Sequence, residues 1–164
     1  MATTMETSAQ RITPFLWFNG NVEEGLNFYT SVFKDSRIGS VNHLDAEAPG
    51  SNRKITVANF FLNGVEFMIL DGGPAFTFNE SISFYVKCET QDEVDYYWEE
   101  LSKGGQKSQC GWLKDKFGVS WQIVPNAIER LMYDSDPAKS KRVMEAMMKM
   151  SKMIVADLEK AYNG

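Results

Sequence analysis

Few side chains in this sequence could carry covalent or acid–base chemistry, and they are scattered. Among 164 residues there are two cysteines, Cys88 and Cys110, and one histidine, His43. The segment Cys110-Gly111-Trp112 places a thiol beside a flexible glycine and an aromatic ring. A thiol there could be a nucleophile if a neighbouring base or cation lowered its pKa, or it could be a small buried hydrophobe. Tyr85 offers a phenol for proton transfer. The acidic pairs Glu23-Glu24, Asp92-Glu93 and Glu99-Glu100 fit solvated helix faces, the first of them favoured in the opening turn of its helix by the helix dipole. No carboxylate pair stands out for acid–base work.

These groups are positioned by a pattern written twice. Shifted by 68 residues, Phe15-Leu16-Trp17-Phe18 falls on Ser83-Phe84-Tyr85-Val86, Leu26 on Val94 and Phe33 on Leu101. Each time a strand precedes an amphipathic helix, the first over about 22–33 with Asn21 as N-cap, the second over about 92–102 after Thr90 or Gln91. A second register matches Gly64-Val65-Glu66-Phe67-Met68-Ile69-Leu70 to Gly118-Val119-Ser120-Trp121-Gln122-Ile123-Val124 at an offset of 54. The second copy has therefore lost length between its helix and its last strand, around Gly104 to Trp112. In the first copy that interval holds strands near 37–44 and 54–62, and Asn63-Gly64 predicts a tight hairpin into 65–70. Asp115-Lys116-Phe117-Gly118 is the corresponding turn before 119–124.

After Pro125 the pattern gives way to a helical tail, a short helix over 126–132 and a long one from Pro137 to about Tyr162, capped by Asp136. Methionines 144, 147, 148, 150 and 153 form an apolar stripe on it that suits core or self-association. The expected segments are a flexible N-terminus (1–11), a first βαβββ unit (12–74), a second, shortened one (75–125) and the tail (126–164), one structural domain in all.

The composition has 43% hydrophobic residues, enough for a substantial core, and a net charge of −5 that would repel a phosphate backbone. Nucleic acid and membrane are not expected partners. The polar start, Met1 to Gln10, carries no export signal, and two cysteines make no disulfide framework, so a cytoplasmic protein is expected.

Trp17-Phe18-Asn19-Gly20, Phe28-Tyr29, Asp71-Gly72-Gly73-Pro74 and Cys110-Gly111-Trp112-Leu113-Lys114-Asp115, in that order, resemble the vicinal-oxygen-chelate superfamily. The run from Phe76 to Phe84 and Arg142-Val143-Met144 resemble its PhnB-like branch, some of whose members are labelled 3-demethylubiquinone-9 3-methyltransferase. The resemblance implies an α+β protein of the glyoxalase/bleomycin-resistance fold, with tandem βαβββ units, curved mixed sheets around a ligand cleft, and C-terminal helices. It also implies four metal-ligand positions, which the repeat places at or near Thr13, Met68, Ser81 and Gln122. None is His, Asp or Glu, whereas a hard divalent cation wants anionic oxygen or imidazole. No GxGxG turn for S-adenosylmethionine is present. No metal and no cofactor are expected.

Strand alternation sets Thr13, Phe15 and Trp17 on one face, with Ser81, Ser83 and Tyr85 as their repeat mates and Met68, Leu70 and Gln122 opposite. With Phe76, Phe78 and Trp112 closing over them, these residues suit an apolar or aromatic small molecule fixed by a few hydrogen bonds. Three functions stay open. One is a metal-free, homodimeric small-molecule-binding protein. The others are an enzyme of unidentified reaction, using Tyr85 or Cys110, and a homodimeric interaction protein working through its Met-rich tail.

Overall fold

The computed structural model describes residues 9–164, so the expected flexible N-terminus lies outside the described residues as far as residue 8. The chain divides into two compact units, one ending at Thr77 and the other running from Phe78 to Gly164.

In the first unit the elements are β1 (Phe15–Phe18), α1 (Val22–Val32), β2 (Ser36–Glu47), β3 (Lys54–Leu62) and β4 (Val65–Asp71). The sheet order is β1-β4-β3-β2, with β1 parallel to β4 and the other pairs antiparallel. Val22, Leu26, Tyr29 and Val32 form the buried face of α1, as their spacing requires. The Tyr29 ring stacks on Phe60 at 5.7 Å, and Phe60 on Phe67 at 5.3 Å. Asn63 (φ 48°) and Gly64 (φ 78°) adopt the positive dihedrals of the expected hairpin. Asn21 does not cap α1 with its side chain. Its backbone is left-handed (φ 58°), and a cap needs an extended residue for the side-chain oxygen to reach the next amides.

Asp71, at the end of β4, organises the polar side of this unit. Its buried carboxylate accepts from the Gly20 amide (2.9 Å), the Gly73 amide (3.2 Å) and Nε of Arg53 (2.7 Å). The Arg53 hydrogen bond, helped by those amides, holds the Asp71 carboxyl below its usual range.

The second unit repeats the plan with β5 (Ser83–Cys88), α2 (Gln91–Ser102), β6 (Gln106–Lys107), β7 (Trp112–Lys114) and β8 (Ser120–Pro125), in the order β5-β8-β7-β6. β5 runs parallel to β8. The shortening expected between helix and last strand falls on β6 and β7, two and three residues long against twelve and nine in the first copy. Thr90 caps α2 by accepting from the Glu93 amide. Asp115 anchors the β7–β8 turn, accepting from the amides of Phe117 and Val119 and from the Trp121 indole.

The tail forms α3 (Ala127–Met132), α4 (Pro137–Met147) and α5 (Val155–Asn163). The single helix expected from Pro137 to about Tyr162 is thus two. Between them the chain extends so that the carbonyls of Met150 and Ser151 accept the Cys110 and Gly111 amides, at 2.9 and 2.8 Å. The methionine stripe is split accordingly. Met153 is buried with Val143 and Leu158, and Met144 and Met148 are exposed.

Replacing Asp71 by Ala strands the Gly20 and Gly73 amides, whereas the half-exposed Arg53 guanidinium keeps Asn19 and water, and a hydrogen bond to a charged group contributes about 1.5–3 kcal/mol. Urea unfolding at pH 7 should show a loss of about 2–3 kcal/mol. Because the folded-state pKa is depressed, this contribution is complete above the ordinary carboxylate range and is lost as pH falls through the folded value. The gap between wild type and variant should therefore close on acidification.

Candidate functional site

Each sheet has a helix against one face. In the second, Val86, Cys88, Leu113, Trp121 and Ile123 are buried on the α2 side. The alternate residues share the other face, and strand pairing lines them up in rows. Ser83 pairs with Ser120 and Ser120 with Lys114, and Lys114 pairs with Gln106; Tyr85 pairs with Gln122, and Gln122 with Trp112.

At the β7 end of this face lies a cavity of about 450 Å³ whose lining includes Glu80, Gln106, Ser108, Cys110, Trp112, Lys114 and Ser120. Its electrostatics centre on one ion pair, Lys114 with Glu80, both side chains partly exposed. The Lys114 hydrogen bond lowers the Glu80 pKa. Deeper in, Ser120 is only 1% exposed, and its Oγ has no hydrogen-bond partner among the described residues. The neighbouring hydroxyl, Ser83, is taken by the Gln122 amide at 2.9 Å.

The wall beside Trp112 is held by the tail. Besides the two amide bonds to Met150 and Ser151, the Ser151 hydroxyl donates to the Ser108 carbonyl at 2.6 Å. Cys110 has a left-handed backbone (φ 56°), is half-buried, and its thiol points to the Met147 carbonyl at 3.5 Å. Gly111 follows at φ 79°, where a Cβ would stand 2.6 Å from the Ile123 carbonyl oxygen, so only glycine fits.

Of the residues singled out in the sequence, Cys110 and Trp112 line this cavity, and Ser83, Tyr85 and Gln122 lie on the same face beside it. Tyr85 is 48% exposed, and desolvation, reinforced by Glu129, raises its pKa, which makes it a poor base. Phe78 is half-buried near Gly118. In the first unit Phe15 pairs with Met68 and Trp17 with Leu70 on one face, and the Trp17 ring meets Phe76 edge-on at 5.0 Å while its indole donates to the Gly73 carbonyl. Thr13 and Ser81 lie outside β1 and β5, in the segments before them, so neither has a strand position; Ser81 is exposed and donates to Asn79.

The residues that sequence reasoning missed are Lys114, Ser120 and Gln106. Strand pairing shows why for Ser120. The 68 offset equates Phe15 with Ser83; Phe15 pairs with Met68 and Ser83 with Ser120, so the mate of Met68 is Ser120, two residues before Gln122. The longer turn at Asp115–Val119, against the two-residue turn at Asn63-Gly64, absorbs the difference. Counting back from the strand start instead of from the turn glycine would have found it.

Tandem βαβββ units, each a mixed four-stranded sheet with one helix, define the fold of the vicinal-oxygen-chelate proteins. The sequence model of the 3-demethylubiquinone-9 3-methyltransferase family matches residues 10–124, and the chain belongs to that family, the PhnB-like branch of the superfamily. The PhnB protein from Bacillus cereus is 41% identical, over 71% of this chain and 99% of its own, with a TM-score of 0.63. A Pseudomonas aeruginosa protein (21% identity, 71% and 98% covered, TM-score 0.59) and the fosfomycin resistance protein FosX from Mesorhizobium loti (16%, 75% and 97%, 0.53) share the fold. Comparison with curated proteins finds no match. The whole tail lies beyond the family match.

The groups implied by superfamily and family name do not fit the residues present. At the ligand positions, Met68 and Ser120 offer a thioether and a neutral hydroxyl, and the Gln122 amide is committed to Ser83. No set of three or more His, Cys, Asp or Glu lies together among the described residues. His43 is on β2, bonded to Thr56. For S-adenosylmethionine, the β1–α1 turn would have to cradle the cofactor, yet its Gly20 amide is given to Asp71 and Arg53 packs over it.

Leaving a buried hydroxyl unpaired costs about 1–3 kcal/mol. Ser120→Ala removes that cost with little change of volume, so its thermal melt should be no lower than wild type and up to about 1 kcal/mol more stable. A clear loss of stability would show that Ser120 is satisfied within the fold.

Proposed function

We infer that this protein is a metal-free small-molecule-binding member of its family, a homodimer of the cytoplasm, whose ligand lies on the open face of the second sheet. The observation that carries this reading is the 450 Å³ cavity beside Trp112 and Lys114, with Ser120 in its lining and the Ser120 hydroxyl buried and unpartnered among the described residues. Small-molecule sites are concave, largely apolar, and supplied with a few placed polar groups. A filled core would have no reason to keep a polar atom unpaired. Trp112 supplies a flat apolar wall, and Lys114, Gln106 and Ser120 supply polar groups in one row.

The homodimer is supported by apolar side chains left exposed, Ile38, Val41 and Leu44 on β2, Met144 on α4 and Met148 just after it. Free Cys88 and Cys110 suit a reducing compartment. Among the described residues no helix is long and apolar enough to cross a membrane. A transferase reading has only the family name in its favour.

A thermal-shift screen tests the reading. Ligand at 100 times Kd adds about 2.7 kcal/mol of stability, so a binding small organic molecule should raise the melting temperature visibly. Ni, Zn, Mn and S-adenosylmethionine should each leave it unchanged. Stabilisation by one of the metals would overturn the metal-free reading, and stabilisation by S-adenosylmethionine would restore the transferase.

A further inference from the structure

Resting on the cavity reading, we propose that the second-sheet cavity takes an aromatic monoanion, such as an aryl carboxylate, and that Glu80 is a built-in competitor occupying the anion's place on Lys114. Three observations lead there. Among the described residues Lys114 is the only cationic side chain lining the cavity, and it stands on β7 two residues from Trp112, which puts ammonium and indole on the same face of the sheet. The Lys114 side chain is 32% exposed and its ammonium already holds a carboxylate, that of Glu80, so the structure itself shows a carboxylate accommodated at this point. Ser120 stands in the next position of the same row and lines the same cavity, its buried hydroxyl without a partner among the described residues.

Glu80 is well suited to exchange. It lies outside any helix or strand, in the segment before β5, and its side chain is 61% exposed. An exposed ion pair is weak, because water screens it and both side chains must be held still. Swapping one carboxylate for another on Lys114 therefore costs little, and a ligand that also stacks on Trp112 gains what Glu80 cannot. A neutral ligand has no such exchange to make and leaves the pair intact.

The test is a titration of the full-length protein with 2-naphthoate and its neutral isostere 2-naphthamide, followed by calorimetry and by the backbone amide resonances of Trp112, Lys114 and Ser120. Naphthoate should bind and shift those three resonances. Glu80→Gln, which removes the competitor, should tighten naphthoate about three- to fivefold. Lys114→Met should weaken it at least about tenfold, the scale of a lost charged hydrogen bond. The two variants break the same ion pair, so opposite effects on affinity exclude a shared structural cause. Acid and amide binding equally, with both variants unchanged, would overturn the anion proposal while leaving the cavity as a ligand site. No shift at the three resonances with either compound would overturn both.

Discussion

A four-stranded sheet has two faces, and in each unit of this protein one helix is set against only one of them. That constraint governs the rest. The faces against α1 and α2 are continuous hydrophobic cores, with Tyr29, Phe60 and Ile69 buried in one unit and Trp98, Leu113 and Ile123 in the other. The opposite faces mix aromatic, aliphatic and hydrogen-bonding side chains and stay partly open, Phe15 at 49% and Tyr85 at 48% exposure. Such a face is where a protein built from this repeat can hold something else.

The two copies have used that freedom differently. The first invests its polar groups in structure, with the Asp71 carboxylate shared among Gly20, Gly73 and Arg53 and the Asn59 amide shared between Ser40 and Glu66. The second, with β6 and β7 cut short, has a cavity at its edge, and the tail, which lies beyond the family match, secures its wall through Ser108, Cys110 and Gly111. Buried polar groups are normally paired. Asp115 and Ser83 obey that rule, and the Ser120 hydroxyl has no partner among the described residues.

Much of this was legible in the sequence, because hydrophobic period and turn chemistry are local. The 68-residue offset located β1, β5 and both helices, Asn63-Gly64 located the hairpin, and Thr90 and Asp136 located two caps. What failed was non-local. The tail's periodicity continues through Met150 and Met153, yet tertiary bonds to Cys110 and Gly111 outweigh helix propensity there. The cap at Asn21 failed because Gly20 and Asn21 both take left-handed backbones while the Gly20 amide is given to Asp71, fifty-one residues away. The site was half visible: Trp112 and Cys110 drew notice by type, whereas Lys114 and Ser120 acquire meaning only from the pairing of β7 with β8.

The most direct measurement of the central claim is a crystal structure of the protein grown with a bound small organic molecule. The account predicts ligand density against Trp112 and Lys114, with a ligand oxygen or nitrogen within hydrogen-bond distance of the Ser120 hydroxyl. Ligand density elsewhere on the molecule, with Ser120 bonded to a protein group and the cavity filled by side chains, would contradict it.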